Sequence, residues 1–201
     1  KRQGSMKQIA ANGIDPQRVI QVLLASIQKT PALANCTQES IFRCAMHSVE
    51  LGFYPGSVDQ KTYLVPFKDQ CTLIVGYKGM VELAYRSRLI KSIRARAVYE
   101  GDKFTYRDGL TPVLDWEPGD TPRDPKKITH AYCIVETKDG GVIYDVMTRA
   151  EIDAIRGRSK ASGSGPWVTD YAEMAKKTIM RRTLKMAPMS IEMVKADAID
   201  M

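Results

Sequence analysis

The chain has 201 residues, of which 44% are apolar and 26% are charged, and its formal net charge is +7. This composition is ordinary for a soluble globular protein, and the length allows burial of about 70% of the unfolded surface without disulfides or metals. Apolar runs stay below the roughly 18 residues that a membrane-spanning helix needs, and no signal peptide is visible, so no membrane partner is expected. The isoelectric point near 9.2 favours an anionic partner.

Two helices are predicted over about residues 15–52. Asp15 followed by Pro16 is a helix start. The apolar residues that follow at helical spacing are Val19, Ile20, Leu23, Leu24 and Ile27. The second helix is predicted over residues 38–51 and ends at Gly52, because glycine readily takes the backbone conformation that terminates a helix.

A hairpin is predicted next, with strands over residues 63–67 and 71–75. The chain then passes through Gly76, Tyr77, Lys78 and Gly79 into a helix that reaches about Arg88. A strand that leads directly into a helix N-terminus points backbone N–H groups and the positive end of the helix dipole at a ligand. This turn is therefore predicted to contact a phosphate, with Lys78 adding its charge. It is not a nucleotide-binding loop, because GxxxxGK[ST] occurs nowhere in the chain.

Arg94 and Arg96 share one face of a strand predicted over residues 93–99, and Ala95 and Ala97 share the other. Two like charges at neighbouring positions on one face repel, so the pair is predicted to contact phosphate, with local salt bridges as the alternative. A further strand is predicted over residues 103–107. Residues 111–127 are rich in proline, glycine and charged residues and are predicted to form a long excursion, a loop outside the sheet.

The remaining predicted strands cover residues 131–137 and 142–147, separated by a glycine-containing turn. Thr148 and Glu151 form a capping box for a short helix that reaches Ile155. Neither an internal repeat nor a long linker is present. The sequence therefore predicts a single α+β domain over residues 1–201, with N-terminal helices over about 15–52 and a small antiparallel sheet packed with helices over 60–190.

The most basic segment covers residues 156–185. A loop of small residues carries Arg156, Arg158 and Lys160 and leads through Pro166 and Trp167 into a helix. Asp170 is predicted as its N-cap, with Glu173 completing a capping box. Its basic face carries Lys177, Arg181 and Lys185. Its core side carries Ala172, Ala175, Ile179 and Met186, and Arg182 also points towards that side. Lys176 lies on a flank between the two. The basic face suits a polyphosphate backbone, and an ordinary solvated helix face is the alternative.

Six aromatic residues are candidates for stacking on bases, although most aromatics in a domain belong to the core. They are Tyr77, Tyr85, Tyr99, Tyr106, Trp116 and Trp167. Trp167 is favoured among them because it lies between a basic loop and a basic helix.

The four cysteines form no CxxC pair and no disulfide framework, which predicts reduced thiols in a cytoplasm. Cys44 and His47 lie one helical turn apart, but no second ligand pair follows, so core packing is favoured over a zinc site. Neither a metal nor another cofactor is expected.

The sequence contains few residue combinations that are typical of catalytic sites. The chain has two histidines, and neither accompanies a recognisable triad. Glu136 and Lys138 have the E-x-K spacing of restriction-type nucleases, and Asp115 or Asp120 is the candidate for the second metal carboxylate. A metal-dependent nuclease is therefore one alternative function, and a plain single-strand-binding protein is another.

Three segments carry a family likeness, in the order YLVPFKDQCTLIVGYKGMVELAYRS (residues 63–87), VYEGDKFTY (98–106) and EIDAIRGRSKASGSGPWVTDYAEMAKKTIMRR (151–182). Together they resemble the RecT family of phage and prophage recombinases. The first segment matches the family's strand-to-GYKG-to-helix pattern, and the last matches its SKA…GPW…EMAKKT…RR pattern. Where family members extend further, a C-terminal partner-binding region follows, so we expect this chain to be the ordered core of a longer protein with additional tails.

The resemblance implies a non-catalytic protein that anneals single-stranded DNA without ATP during recombination in the cytoplasm of a bacterial host. Family members assemble on DNA as rings or helical filaments of identical subunits and work with a partner 5′→3′ exonuclease. A host single-strand-binding protein is a further expected partner, and no membrane is involved. The implied fold is a small antiparallel sheet with helices, related to the Redβ annealing proteins.

The pattern of charge and the matched motifs together predict one set of DNA contacts. The set comprises Gly76, Tyr77, Lys78, Arg94, Arg96, Arg156, Arg158, Ser159, Lys160, Trp167, Lys176, Lys177, Arg181, Arg182 and Lys185. The middle block and the last block of this set are expected to converge on one groove that holds the strand by its phosphates and leaves the base edges free.

Overall fold

A computed structural model describes residues 14–159, 162–163, 165–188 and 194–196. Contacts between Cα atoms divide the chain into two compact units, the first comprising Lys1–Arg88 with Met189–Met201 and the second Leu89–Pro188. Helices and small antiparallel sheets occur together, which confirms the predicted α+β class. No helix within the described ranges is long and apolar enough to cross a bilayer.

The first unit begins with two capped helices. Helix α1 spans Pro16–Lys29 and α2 spans Gln38–Glu50, joined by a 3-10 helix over Pro31–Asn35. The carboxylate of Asp15 accepts the N–H of Gln17, which confirms the predicted helix start. In the core, Val19 on α1 meets Ala45, Met46 and Val49 on α2. Leu24, which belongs to the predicted apolar stripe, is instead exposed because it lies away from α2.

The predicted hairpin is present in the first unit as strands β1, Thr62–Phe67, and β2, Gln70–Val75. The strands are antiparallel, with Leu64 opposite Leu73 and both side chains buried. Helix α3 follows over Tyr77–Arg86, with Gly76 at its N-cap position. The thiol of Cys44 on α2 donates to the carbonyl oxygen of Cys71 at 3.2 Å, so these cysteines belong to the core.

The second unit is built on a three-stranded antiparallel sheet in the order β3-β6-β7. Its strands are Ile90–Tyr99, Ile128–Thr137 and Val142–Thr148. Strands β4, Lys103–Arg107, and β5, Val113–Glu117, form a separate antiparallel pair. The predicted excursion over residues 111–127 is therefore wrong in part. The half-buried residues Leu114 and Trp116 alternate with exposed neighbours on β5, and this period of two was the signal for a strand.

Three helices complete the second unit: α4, Arg149–Arg158, α5, Pro166–Thr169, and α6, Tyr171–Leu184. The capping box of Thr148 and Glu151 is present, and α4 runs three residues beyond its predicted end at Ile155. The predicted capping box of α6 is wrong. Asp170 occupies the N-cap position, but its carboxylate accepts the hydroxyl of Thr169 at 2.5 Å and makes no capping bond, while Glu173 pairs with Lys176.

Helix α6 covers one face of the three-stranded sheet. Its buried residues include Ala175 and Ile179, as predicted, whereas Met186 is 56% exposed because it lies beyond the helix end. On β6, Ala131, Cys133 and Val135 are fully buried towards α6. Burial raises the pKa of the Cys133 thiol to about 11, although the Thr183 hydroxyl on α6 partly offsets that rise.

The β4–β5 hairpin packs against the opposite face through aromatic side chains. The ring of Phe104 stacks on Tyr132 at 5.8 Å, and Trp116 meets the same ring edge-on at 6.0 Å. Tyr106 approaches His130 at 5.8 Å. Strand β3 is one of the two edge strands of this sheet, and the sheet lies between α6 on one face and the β4–β5 hairpin on the other.

Candidate nucleic-acid interface

The two glycines of the GYKG turn allow close backbone packing. A Cβ atom on Gly76 would lie 2.3 Å from the carbonyl oxygen of Gln60, and one on Gly79 would lie 2.3 Å from that of Lys61. The N–H of Gly76 already donates to the Lys61 carbonyl at 2.8 Å. Gly76 is therefore needed for packing in the first unit, and its N–H is not available for a phosphate.

Tyr77 and Lys78 follow the packed glycine and are both exposed at the start of α3. Lys78 forms no ion pair with any residue that the structure describes. The side chains of this turn can therefore meet a ligand, even though Gly76 itself is buried against the preceding loop.

Arg94 and Arg96 lie on the same face of β3, as predicted, but their surroundings differ. Arg94 pairs with Glu136, which also lies 3.5 Å from the Nζ of Lys91. Arg96 on β3 lies opposite Tyr132 on β6, and its Nη1 donates a hydrogen bond to the carbonyl oxygen of Ala95 at 3.3 Å. Within the described part of the chain Arg96 has no carboxylate partner, so its positive charge is available to a ligand.

Arg182 is committed to carboxylates of the second unit. Its Nε and Nη2 donate to the two oxygens of Asp145 at 2.5 and 2.7 Å, and Nη1 donates to Glu151 at 3.2 Å. Nη2 also donates to the carbonyl oxygen of Val146 at 2.7 Å. The hydrogen bond to Asp145 raises the pKa of the Arg182 guanidinium. Arg182 thus connects α6 to β7 and to the start of α4, and the phosphate contact predicted for it stays a prediction.

Trp167 is a core residue. Its side chain is 5% exposed, and its ring lies 6.0 Å from that of Tyr171. The Tyr171 hydroxyl donates to Asp153 at 2.8 Å, and burial followed by this hydrogen bond raises the pKa of Tyr171. The base-stacking role predicted for Trp167 therefore has no exposed ring face to support it.

The last turn of α4 forms hydrogen bonds with residues that follow it closely in the chain. The Nε of Arg156 donates to the carbonyl oxygen of Ser162 at 2.8 Å, and its guanidinium lies 5.9 Å from the Tyr171 ring. The N–H of Ser159 donates to the Arg156 carbonyl at 2.9 Å. Arg158 is exposed and makes no ion pair with a described residue. The predicted contact at Lys160 lies outside the described residues.

The basic face of α6 is partly accessible. Lys177 and Arg181 are half-buried and Lys185 is exposed. Lys176 pairs with Glu173 one turn earlier, at 2.5 Å. Its flank position is as predicted, and it directs the Lys176 side chain towards the edge of the sheet rather than along the face with Lys177.

A cleft of about 220 Å³ opens at the edge of β3 and brings two predicted contacts together. Its functional lining is Arg96 and Tyr99 from β3, Trp116 from β5, Arg123, and Glu173 and Lys176 from α6. We call it the β3-edge cleft. Sequence reasoning missed Arg123, because it lies in the segment interpreted as an excursion and no local pattern distinguishes it from any other loop arginine.

Asp102 organises the wall of the β3-edge cleft. Its side chain is 0% exposed and accepts four hydrogen bonds. The donors are the N–H of Tyr99 at 3.0 Å, the N–H of Gly119 at 2.8 Å, the indole of Trp116 at 3.0 Å and Nη1 of Arg123 at 2.6 Å. Burial alone would raise the pKa of this carboxyl, but the four donors outweigh it and lower the pKa to about 2. Asp102 is therefore an anion that holds a tryptophan and an arginine in fixed positions.

The geometry expected of a nuclease is missing from the described residues. The Glu136 carboxylate is neutralised by Lys91 and Arg94. Asp115 lies on β5, opposite Thr105, and the described ranges contain no group of three His, Cys, Asp or Glu side chains that could hold a metal ion. The nuclease alternative therefore gains no support.

Comparisons with known proteins identify a family. A sequence model described as the RecT family matches residues 17–201. The chain is 42% identical over 210 residues to Protein RecT of Escherichia coli (strain K12), an alignment that covers 98% of this chain and 77% of that relative. It is 26% identical over 136 residues to Uncharacterized protein YqaK of Bacillus subtilis (strain 168), covering 67% of this chain and 46% of that relative. The family match includes all three segments on which the sequence resemblance rests.

Proposed function

The chain belongs to the RecT family, and from that premise we propose that it binds single-stranded DNA and anneals complementary strands without ATP during recombination. The observation that carries this proposal is the 42% identity to Protein RecT over 98% of the chain. The net charge of +7 supports a polyanionic partner. A role in recombination and annealing is what membership of the family implies.

The proposed mechanism is electrostatic. Cations hold each strand by its phosphates, which lowers the repulsion between two strands and leaves the base edges free to pair. Candidates for this role are the exposed cations of the predicted set, Lys78, Arg94, Arg96, Arg158 and Lys185, together with the half-buried Lys176, Lys177 and Arg181 on α6. Watson–Crick pairing supplies the sequence specificity, so the protein itself does not need to read bases. No covalent bond is made or broken.

The protein is proposed to act in the bacterial cytoplasm as an oligomer of identical subunits, either a ring or a helical filament. One set of protomer contacts produces a ring when the rotation between subunits closes and a filament when it does not. A partner 5′→3′ exonuclease would supply the single strand, and a host single-strand-binding protein is a further proposed partner. These partners come from the family resemblance.

A strand-pairing assay tests the function. Complementary labelled oligonucleotides are mixed with the protein in the absence of ATP, with and without Mg²⁺, and both duplex formation and strand length are followed. We expect duplex to form faster than in buffer, with strand lengths unchanged. Pairing no faster than in buffer would overturn the annealing proposal. Tight binding that slows pairing would indicate a plain single-strand-binding protein, and strands shortened in Mg²⁺ would indicate a nuclease.

A charge reversal on α6 tests the mechanism. The double variant Lys177→Glu/Arg181→Glu should weaken binding equally for all sequences and reduce the salt dependence of the affinity, because single-strand binding has a slope of about −0.7 per neutralised phosphate. The matched control is Lys126→Glu/Lys127→Glu, which makes the same change in net charge at two exposed lysines outside the predicted set. An equal effect of both variants would show that only net charge matters.

A further inference from the structure

We infer that the β3-edge cleft binds one nucleotide unit of a single strand, with the phosphodiester against Arg96 and the base against Trp116. This inference rests on the proposed function, because it identifies which part of a DNA strand the cleft accepts. Trp116 is one of the six stacking candidates named from the sequence, whereas Arg123 belongs to neither the predicted contact set nor the basic face of α6.

The charge balance of the β3-edge cleft leaves one cation unmatched. Lys176 is neutralised by Glu173 at 2.5 Å, and Arg123 is neutralised by the buried Asp102 at 2.6 Å. Arg96 is the cation that lacks a carboxylate among the described residues. One phosphodiester carries one negative charge, which matches the single excess positive charge of the cleft.

The aromatic wall of the cleft is held in position by contacts within the protein. The indole N–H of Trp116 donates to Asp102, and the Trp116 ring meets Tyr132 edge-on at 6.0 Å. On the other side, the Arg123 guanidinium lies 4.9 Å from the Tyr99 ring. A ring that is already fixed loses little conformational entropy when a base stacks on it. Stacking on such a ring is tolerant of sequence, because every base has a π face.

The size of the cleft limits its occupant. At about 220 Å³ it is smaller than the roughly 300–1,000 Å³ typical of pockets for drug-sized ligands. One base with its phosphate is therefore a better match than a longer stretch of strand. In a duplex both faces of an internal base are covered by its neighbours, so the cleft should accept a base only from a single strand.

Two variants and one control separate the phosphate and base contacts. Arg96→Gln removes the unmatched cation. Its control, Lys138→Gln, removes one exposed charge beyond the far end of β6, about 20 Å along the strand from Tyr132. Trp116→Leu removes the stacking ring, and Trp116→Phe retains an aromatic ring in case the leucine variant does not fold. Binding is measured by fluorescence anisotropy against salt, with a thymidine oligonucleotide and an abasic strand of the same length.

We expect Arg96→Gln to reduce the steepness of the salt dependence by about 0.7 for each strand-bound protomer, with no effect from Lys138→Gln. The ratio of affinities for intact and abasic strands should fall roughly 5- to 100-fold in Trp116→Leu. It should stay near the wild-type value in Trp116→Phe and in Arg96→Gln. A misfolded variant loses affinity for both strands alike, so the ratio isolates stacking from folding.

The possible failures are distinguishable. Wild-type protein that binds neither strand would overturn the proposed function together with this inference. Wild-type protein that binds both strands equally would overturn the base contact in the cleft. If Arg96→Gln behaves like Lys138→Gln and Trp116→Leu keeps the wild-type ratio, the strand does not occupy the cleft, and the annealing proposal rests on other residues.

Discussion

The buried carboxylate of Asp102 accepts the indole N–H of Trp116 at 3.0 Å, and this hydrogen bond joins the end of the turn after β3 to strand β5. The same carboxylate accepts a hydrogen bond from Arg123 at 2.6 Å. A single anion thus fixes an aromatic ring and a cation that line one cleft. Loss of that anion should affect both folding and the cleft, and its unusual pKa provides a way to measure its contribution.

We predict that Asp102 makes the protein sensitive to acid. Its folded-state pKa of about 2 lies below the ordinary value of 3.8, so its stabilising contribution is complete above the ordinary pKa and is lost as the pH falls towards 2. The difference in free energy of unfolding between wild type and Asp102→Asn should therefore shrink by roughly 2 kcal/mol over that interval. Urea unfolding at a series of pH values measures it, and a difference independent of pH would contradict the assignment.

Arg182 should matter for stability more than for DNA binding. Arg182→Met leaves the Asp145 carboxylate, with 18% of its side chain exposed, without its bidentate partner. We expect a loss of about 2–4 kcal/mol in the free energy of unfolding, slightly below the range for a fully buried pair. The control Lys103→Met breaks the exposed pair with Glu117 and should cost less than about 1 kcal/mol.

The conservative variant Arg182→Lys separates the two roles of this residue. Lysine keeps the charge but lacks the planar fork that binds both oxygens of Asp145, so stability should fall to an intermediate value. The salt dependence of DNA affinity should remain that of wild type. A reduced salt dependence in the folded Arg182→Lys protein would instead support the phosphate contact predicted from sequence.

Two glycine substitutions should act in opposite directions. Gly79→Ala places a Cβ atom 2.3 Å from the Lys61 carbonyl oxygen, and we expect it to destabilise the fold by more than about 2 kcal/mol. A Cβ atom added to Gly157, inside α4, would have no neighbouring atom within 4 Å. Gly157→Ala should therefore stabilise the fold by about 0.5–1 kcal/mol, because alanine has the higher helix propensity. Denaturant unfolding of both variants provides the comparison. A neutral Gly79→Ala would show that the turn is not packed as closely as described.

Trp167 should behave as a core residue. Trp167→Ala is expected to cost about 3–5 kcal/mol of stability, because it removes a large buried side chain that contacts Tyr171. Trp167→Phe should lose much less and should retain the wild-type preference for intact over abasic DNA. A reduced preference in the phenylalanine variant would restore the base-stacking role predicted from sequence.

Local patterns were sufficient to predict most elements. The Asp15 start of α1 and the capping box at Thr148 were correct because each depends on contacts within a few residues along the chain. The Asp170 capping box failed although its residue types were suitable, because the Asp170 carboxylate instead accepts the hydroxyl of the neighbouring Thr169. Strand β5 was missed because the prolines and charges around it hid the alternation of Leu114 and Trp116 with exposed neighbours, and its pairing with β4 appears only in the folded protein.

By itself the sequence determined the α+β class, the positions of helices α1–α4 and α6, the excess of positive charge and the family, whereas the short helix α5 was not predicted. Only the tertiary structure decided which cations remain available to a ligand. Arg182 meets Asp145 across 37 positions and Arg123 meets Asp102 across 21, whereas Arg96 meets no carboxylate in the described residues. An ion pair forms when two groups lie within a few ångströms, and that proximity depends on how the strands and helices pack. The composition therefore gives the number of arginines, whereas the packing of the folded chain decides which of them have a carboxylate partner.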